Sequence, residues 1–262
     1  MVQHEDTRLR PSRRTVARAA AWTVPVVAVA TAAPAYAASP CDRRANEVLD
    51  WDGSRTVYTR SNSRTAKASF DPDGTGPVPV LDLNITAAYW GNMKSGYEFP
   101  NNRANPSLRV SAPVGGLGVS GLSMWQSTTS GSPAGSADRG AYTFSFTRPV
   151  SNLRFTLTDI DSQSGDFWDV IMLTPGYTVT SQPATIRDDY NGIDGQRRFF
   201  ASAQSAPVDN ATGGGGNLGL RYDGPISEFT ITYYNGATSF SDQVDQDQTI
   251  YITDLTFDYT PC

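Results

Sequence analysis

Apolar and polar residues alternate along most of this chain. Tyr142, Phe144 and Phe146 alternate with Thr143, Ser145 and Thr147; Leu153, Phe155 and Leu157 alternate with Arg154, Thr156 and Thr158. A period of two puts one set on a buried face and leaves the other in water. Between the two runs lies Arg148-Pro149-Val150-Ser151-Asn152. Proline has no N–H and a fixed φ, so this stretch predicts a tight turn. Asp159, Asp161, Asp166 and Asp169 follow. Residues 142–169 therefore predict two strands, a turn and an acidic loop, and they set the pattern for the rest. Further strand-like runs cover residues 47–51, 80–90, 107–112, 122–126, 168–173, 177–180, 197–203, 218–222, 228–234 and 249–259. Asp71-Pro72-Asp73-Gly74, Asn191-Gly192 and Asn235-Gly236 supply turns between them. No segment holds a helical period for three turns. The pattern predicts an all-β protein: a single β-sandwich, mostly antiparallel and jelly-roll-like.

Two details refine that picture. Pro149-Val150-Ser151-Asn152-Leu153-Arg154-Phe155 and Pro225-Ile226-Ser227-Glu228-Phe229-Thr230-Ile231 share the form Pro-aliphatic-Ser-x-apolar-x-apolar. The match is too short for a repeat architecture and points to one hairpin geometry used twice, with an ancient duplication as the alternative. In the last run Ile250 and Ile252 lie on one face and Leu255 and Phe257 on the other, which predicts either a bulge near Thr253-Asp254 or burial on both sides in a central position.

The first 37 residues change the inventory. Ser12-Arg13-Arg14-Thr15-Val16 resembles a twin-arginine export motif, a run of small apolar residues follows, and Ala35-Tyr36-Ala37 has the form of a cleavage site. The expectation is a signal peptide over 1–37 and one secreted domain over 38–262. Such cleavage removes five arginines, two acids and His4, and takes the net charge from −5 to −8. A chain without histidine has no Ser-His-Asp triad, no His-ligated zinc and no imidazole proton shuttle. Acidic balance, with Lys67 and Lys94 as its lysines, argues against nucleic acid and against an anionic membrane surface. Cys41 and Cys262 stand near the two ends of that domain, and an exported chain meets an oxidising space, so a Cys41–Cys262 disulfide is expected. It requires the termini to be neighbours, with the last strand beside residues 47–51.

Candidate chemistry is sparse. Asp159 and Asp161 share the parity of Leu157, so an extended strand would aim both inward, and two unpaired carboxylates are costly to bury. Either the strand ends at Thr158 or a cation or arginine sits among them. Calcium takes six to eight oxygen ligands, and Asp159, Asp161, Asp166 and Asp169 form the first candidate site. Asp188, Asp189, Asn191 and Asp194 form a second, and Asp242, Asp245 and Asp247 a third. A glycosidase needs two carboxylates across a sugar; the glutamates after residue 37 are Glu47, Glu98 and Glu228, and no pair stands out. Trp90 and Tyr234 fall on the polar faces of their strands, where an exposed ring could stack on a sugar. Trp51, Trp125 and Trp168 are assigned to the core. The glycine run 213–216 lacks the lysine of a phosphate-binding loop and reads as a flexible loop.

Leu49-Asp50-Trp51-Asp52-Gly53 and Ile252-Thr253-Asp254-Leu255-Thr256-Phe257 are similar to the first and last strands of jelly-roll carbohydrate-binding modules. The resemblance implies a structural calcium held by acids on these strands, although Thr253 stands where the modules carry a second acid. The central run from Phe146 to Asp161, FTRPVSNLRFTLTDID, resembles a segment common in exported bacterial surface proteins of unknown role, especially actinobacterial ones. Together these imply a secreted, non-catalytic module that binds polysaccharide or a cell-surface glycan. The alternatives are a structural envelope protein without a small ligand and an aspartate-based glycoside hydrolase.

Overall fold

A computed structural model describes residues 41–96, 107–128, 130–241 and 247–262. The expected export segment lies outside these residues, as do Glu98, Asp242 and Asp245. In chain order the strands are β1 (Arg44–Leu49), β2 (Thr56–Arg60), β3 (Thr65–Phe70), β4 (Leu81–Trp90), β5 (Met93–Ser95), β6 (Val110–Val114) and β7 (Val119–Thr128). Then come β8 (Arg139–Thr158), β9 (Ser162–Gln163), β10 (Phe167–Leu173), β11 (Tyr177–Ser181), β12 (Ile186–Asp189) and β13 (Arg198–Ala201). The last four are β14 (Leu218–Tyr222), β15 (Ile226–Asn235), β16 (Asp247–Thr253) and β17 (Leu255–Tyr259). Each of the pairings these strands make is antiparallel. The expected all-β sandwich is present; the pairings do not by themselves establish jelly-roll order.

The organising element is β8, and it corrects one expectation. There is no turn at residues 148–152. The chain runs on through Pro149 as a single 20-residue strand. Its first half lies between β4 and β15, from Leu83↔Phe146 and Phe229↔Phe144 onward. Its second half lies between β14 on one side and β17 and β16 on the other. Proline is tolerated because it sits at this handover, where the β4 ladder has ended at Phe146 and the β15 register shifts between Ser145 and Val150. Asn152 then adopts a φ of 50°, a left-handed conformation that asparagine tolerates. That bulge switches the buried parity from Tyr142, Phe144 and Phe146 to Leu153, Phe155 and Leu157.

Two layers result. One runs β2-β3-β4-β8-β15-β10-β13-β12. The other runs β11-β14-β8, then β17 with β1 at one end and β16 with β7, β6 and β5 at the other. Their inner faces meet through aromatic rings. Phe229 stacks on Phe144 beside it at 4.9 Å and on Phe155 of the facing layer at 5.1 Å. Phe257 meets Phe70 and Phe146, each at 5.8 Å. Pro225, in the second copy of the Pro-aliphatic-Ser pattern, precedes Ile226, which pairs with Val150. Both prolines therefore mark a passage of the chain between layers, which explains the similarity without a duplication.

The termini behave as the sequence predicts. Cys41 and Cys262 are disulfide-bonded, with Cα atoms 4.9 Å apart, and β1 pairs with β17 through Glu47↔Phe257 and Leu49↔Leu255. The parity change falls at Asp254, which separates β16 from β17. The β2–β3 hairpin and β12 are absent from the sequence-based prediction. The inward face of β3 is Ala66, Ala68 and Phe70, and that of β12 is Ile186 alone, too little apolar signal to stand out. No helix among the described residues is long and apolar enough to cross a membrane.

Candidate functional site

One end of the sandwich gathers most of its unusual chemistry. β8 stops at Thr158, and Asp159 turns the chain with a φ of 68°. The loop between β13 and β14 then packs against this corner. Ile160 N–H donates to Gly216 O at 3.1 Å, and a Cβ at Gly216 would lie 2.6 Å from that same nitrogen. The glycine run is thus a close-packed wall at this point, since a side chain there would collide with backbone. Asp161 Oδ2 accepts Val208 N–H at 2.6 Å, and Asp161 N–H donates to Asp169 Oδ2 at 3.1 Å. Beside them β16 presents Asp247, Gln248 and Thr249, paired with Ser127, Gln126 and Trp125 of β7. The result is an open cleft of about 270 Å³ lined by Trp125, Asp159, Asp161, Gln163, Phe167, Pro207, Val208, Asn210, Asp247, Gln248 and Thr249.

The cleft has an excess of acceptors. Asp159 is 7% exposed, and no hydrogen bond reaches its carboxylate among the described residues; Oδ1 is fully buried. Gln248 is 2% exposed; its Nε2 donates to Asp169 Oδ1 at 2.9 Å, while Oε1 has no partner among the described residues. Thr249 Oγ1 is buried and equally without a partner there. No lysine or arginine lines the cleft among the described residues. Burial, reinforced by the negative charges of Asp161 and Asp209, lifts the Asp159 carboxyl from the usual carboxylate range to about 8. Burial likewise lifts Asp161 to about 6, against the pull of the Val208 N–H. Deeper in, burial first and the neighbouring Asp161 second push the Asp169 carboxyl well up, although Tyr233 Oη donates to it at 2.6 Å.

The four aspartates expected to share a calcium are only partly brought together. Asp159 and Asp161 line the cleft. Asp169 lies behind it, fully buried, with Oδ1 taken by Tyr233 and Gln248 and Oδ2 by Asp161 N–H. Asp166 does not line the cleft; it sits at the turn between β9 and β10, where its N–H donates to Gln163 O and its carbonyl accepts Asn235 Nδ2. Among the described residues no three Asp, Glu, His or Cys side chains form a group able to hold a metal. The second acidic loop is occupied by arginine: Arg197 Nε donates to Asp188 Oδ2 at 2.8 Å, and Arg198 binds both oxygens of Asp189 at 2.7 and 3.0 Å. These bonds pull both carboxyls below their ordinary range. Of the third, Asp247 accepts Trp125 Nε1 at 3.1 Å. The acids of the terminal strands do converge: Ser120 Oγ donates to Asp254 Oδ1 at 3.0 Å and to Asp50 Oδ1 at 3.4 Å. Trp51 N–H also donates to Asp254 Oδ1.

The expected sugar-stacking rings divide. Trp90 is 42% exposed, with the Arg139 guanidinium 4.8 Å over its ring. Tyr234 is not exposed. It does point to the outer face of β15, but Ile193, Phe200, Val170 and Met172 cover it, and Arg198 Nη1 donates to its hydroxyl at 3.2 Å. It is 4% exposed and offers no ring face to a ligand. Trp51 is core as expected, whereas Trp125 and Trp168 are half-buried. Of these misplaced rings, Trp125 is the one that lines the cleft. Its alternation with Leu122 and Met124 already put it opposite the core face, and that was the available signal.

No protein-family model, no curated protein and no solved structure matches this chain. The cleft must be interpreted from its own chemistry.

Proposed function

We propose that this is an exported, non-catalytic β-sandwich that binds a neutral carbohydrate at or outside the cell surface, through the Trp125–Asp159–Gln248 cleft. The observation that carries this reading is the lining. Two rings, Trp125 and Phe167, stand beside buried oxygens that lack donors among the described residues. A sugar supplies what such a surface is missing: an apolar ring face to lie on the indole and several hydroxyl donors for carboxylate and amide oxygens. The absence of a basic residue from the described lining argues against a uronic or sulfated sugar. The disulfide fits an oxidising compartment and so supports export.

A glycan array probed with the protein, followed by titration calorimetry on the best hit, tests the reading. Trp125→Ala is expected to weaken binding at least ten-fold and Trp90→Ala to leave it within two-fold. Equal loss from both variants, or loss from Trp90→Ala alone, would move the site away from the cleft. An array without hits would leave the structural envelope reading. One observation favours a hydrolase instead: a carboxyl lifted to about 8 beside one lifted to about 6 resembles the paired acids of a glycosidase. Sugar release that disappears in Asp159→Asn would establish that reading over simple binding.

A further inference from the structure

The cleft presents oxygen atoms in a combination that a sugar does not require. Asp159 and Asp161 are two residues apart at a corner of backbone, both at least nine-tenths buried. Among the described residues no donor reaches the Asp159 carboxylate, and one reaches that of Asp161, the Val208 N–H on Oδ2. Gln248, a neutral residue on another strand, lines the same cleft with a buried carbonyl oxygen that no group among the described residues donates to. Placing two like charges together without a counter-charge is unfavourable, and no guanidinium or ammonium group lines the space among the described residues. The donor set is made of hard oxygens, with no thiolate and no imidazole, which disfavours zinc and favours calcium-like ions. Calcium accepts mixed sets of carboxylate, amide and hydroxyl oxygens and fills the remaining positions with water, which an open cleft admits.

We infer that Asp159, Asp161 and Gln248 Oε1 form a site for one calcium-class cation at the base of the cleft, with water in the remaining positions. The inference uses the cleft of the carbohydrate reading but does not depend on a sugar. It also departs from the four-aspartate set, since Asp169 is committed to Tyr233, Gln248 and Asp161 N–H and Asp166 does not line the cleft. Trp125 gives the site a built-in reporter, because an indole lining the same cleft can pass excitation energy to a bound lanthanide.

The experiment is a terbium titration of the full chain, exciting tryptophan and reading terbium emission, followed by displacement with calcium. Saturation at one ion per chain, calcium reversal, and at least ten-fold weaker binding in Asp159→Asn and in Gln248→Met are the expected results. Asp166→Asn should bind as the wild type does. Trp125→Phe should lose the sensitised emission yet keep calcium affinity by calorimetry, which distinguishes the site from adventitious binding near another tryptophan. Folding of each variant is checked by circular dichroism; should Asp159→Asn not fold, Gln248→Met carries the test. Absence of saturable emission together with absence of calcium heat, or unchanged affinity in a folded Asp159→Asn or Gln248→Met, would overturn the inference. Glycan binding that persists in chelator would separate a failure here from a failure of the carbohydrate reading.

Discussion

Replacing Asp159 by asparagine should flatten the dependence of stability on pH. The carboxyl is 7% exposed and lacks a hydrogen-bond donor among the described residues, and burial together with Asp161 and Asp209 raises it from 3.8 to about 8 in the folded protein. The unfolded chain returns it to its ordinary value. A raised folded value means that the folded state holds the proton more tightly. Its stabilising contribution is fully present below pH 3.8 and is lost as pH rises through about 8. Between pH 5 and pH 8 the loss amounts to roughly 4 kcal/mol at most, from 1.36 kcal/mol per unit of displacement over that window. In a domain of this size 1 kcal/mol moves the melting temperature by about 2–4 °C, so the fall should be on the order of 10 °C. The assay is thermal unfolding in excess chelator at pH 5, 6, 7 and 8, so that no cation competes with the proton. Asp159→Asn carries no charge at any of these values and should be the more stable protein at pH 8, with a shallower profile. Asp161, lifted to about 6, would give the variant a residual slope below neutrality. Parallel profiles for the two proteins, or a wild-type melting temperature that rises from pH 5 to pH 8, would refute the electrostatic account of the cleft.

Three further outcomes follow from the packing. Cys41→Ser with Cys262→Ser opens a loop spanning 221 positions, and chain entropy puts the loss at about 5 kcal/mol as an upper figure; guanidinium unfolding with and without reductant should show it in the wild type and not in the double variant. Phe229→Ala removes a ring stacked on both Phe144 and Phe155 at the centre of the sandwich, and a loss of about 3–5 kcal/mol in unfolding free energy is expected, read as a lower urea midpoint at unchanged slope. Asp169→Asn places an amide where Tyr233 Oη, Gln248 Nε2 and Asp161 N–H all donate, so one donor is left facing another; the expected cost is about 1–3 kcal/mol by the same measurement.

Much of the fold was readable from alternation, because large apolar side chains on one face of a strand carry an unambiguous period. β4, β10, β14 and β15 fall within two residues of where that period places them. Alternation failed where the buried face is small, as on β3, and where proline suggested a turn that is in fact a point of transfer between layers. Pro149 shows why local propensity could not decide. Its missing N–H excludes it from a ladder, and the structure removes the ladder at that residue rather than ending the strand. Whether a partner strand is present is a tertiary fact that the local sequence does not carry.

The candidate site divides in the same way. Asp159 and Asp161 drew attention because strand parity aimed two carboxylates inward, and that tension is real: the strand ends at Thr158 and both remain buried. Trp125, Gln248 and Thr249 come from strands far away in sequence, and nothing local marks them as neighbours of these acids. Spacing alone groups Asp166 and Asp169 with Asp159 and Asp161. The β9–β10 hairpin breaks the group, sending Asp169 into the core beside Tyr233 and leaving Asp166 at the turn. Close spacing along an acidic loop thus says little about a shared ion, because a hairpin separates such residues as readily as it gathers them. Acceptors drawn from separate strands into one cleft, and left there without donors, are the stronger sign of a ligand.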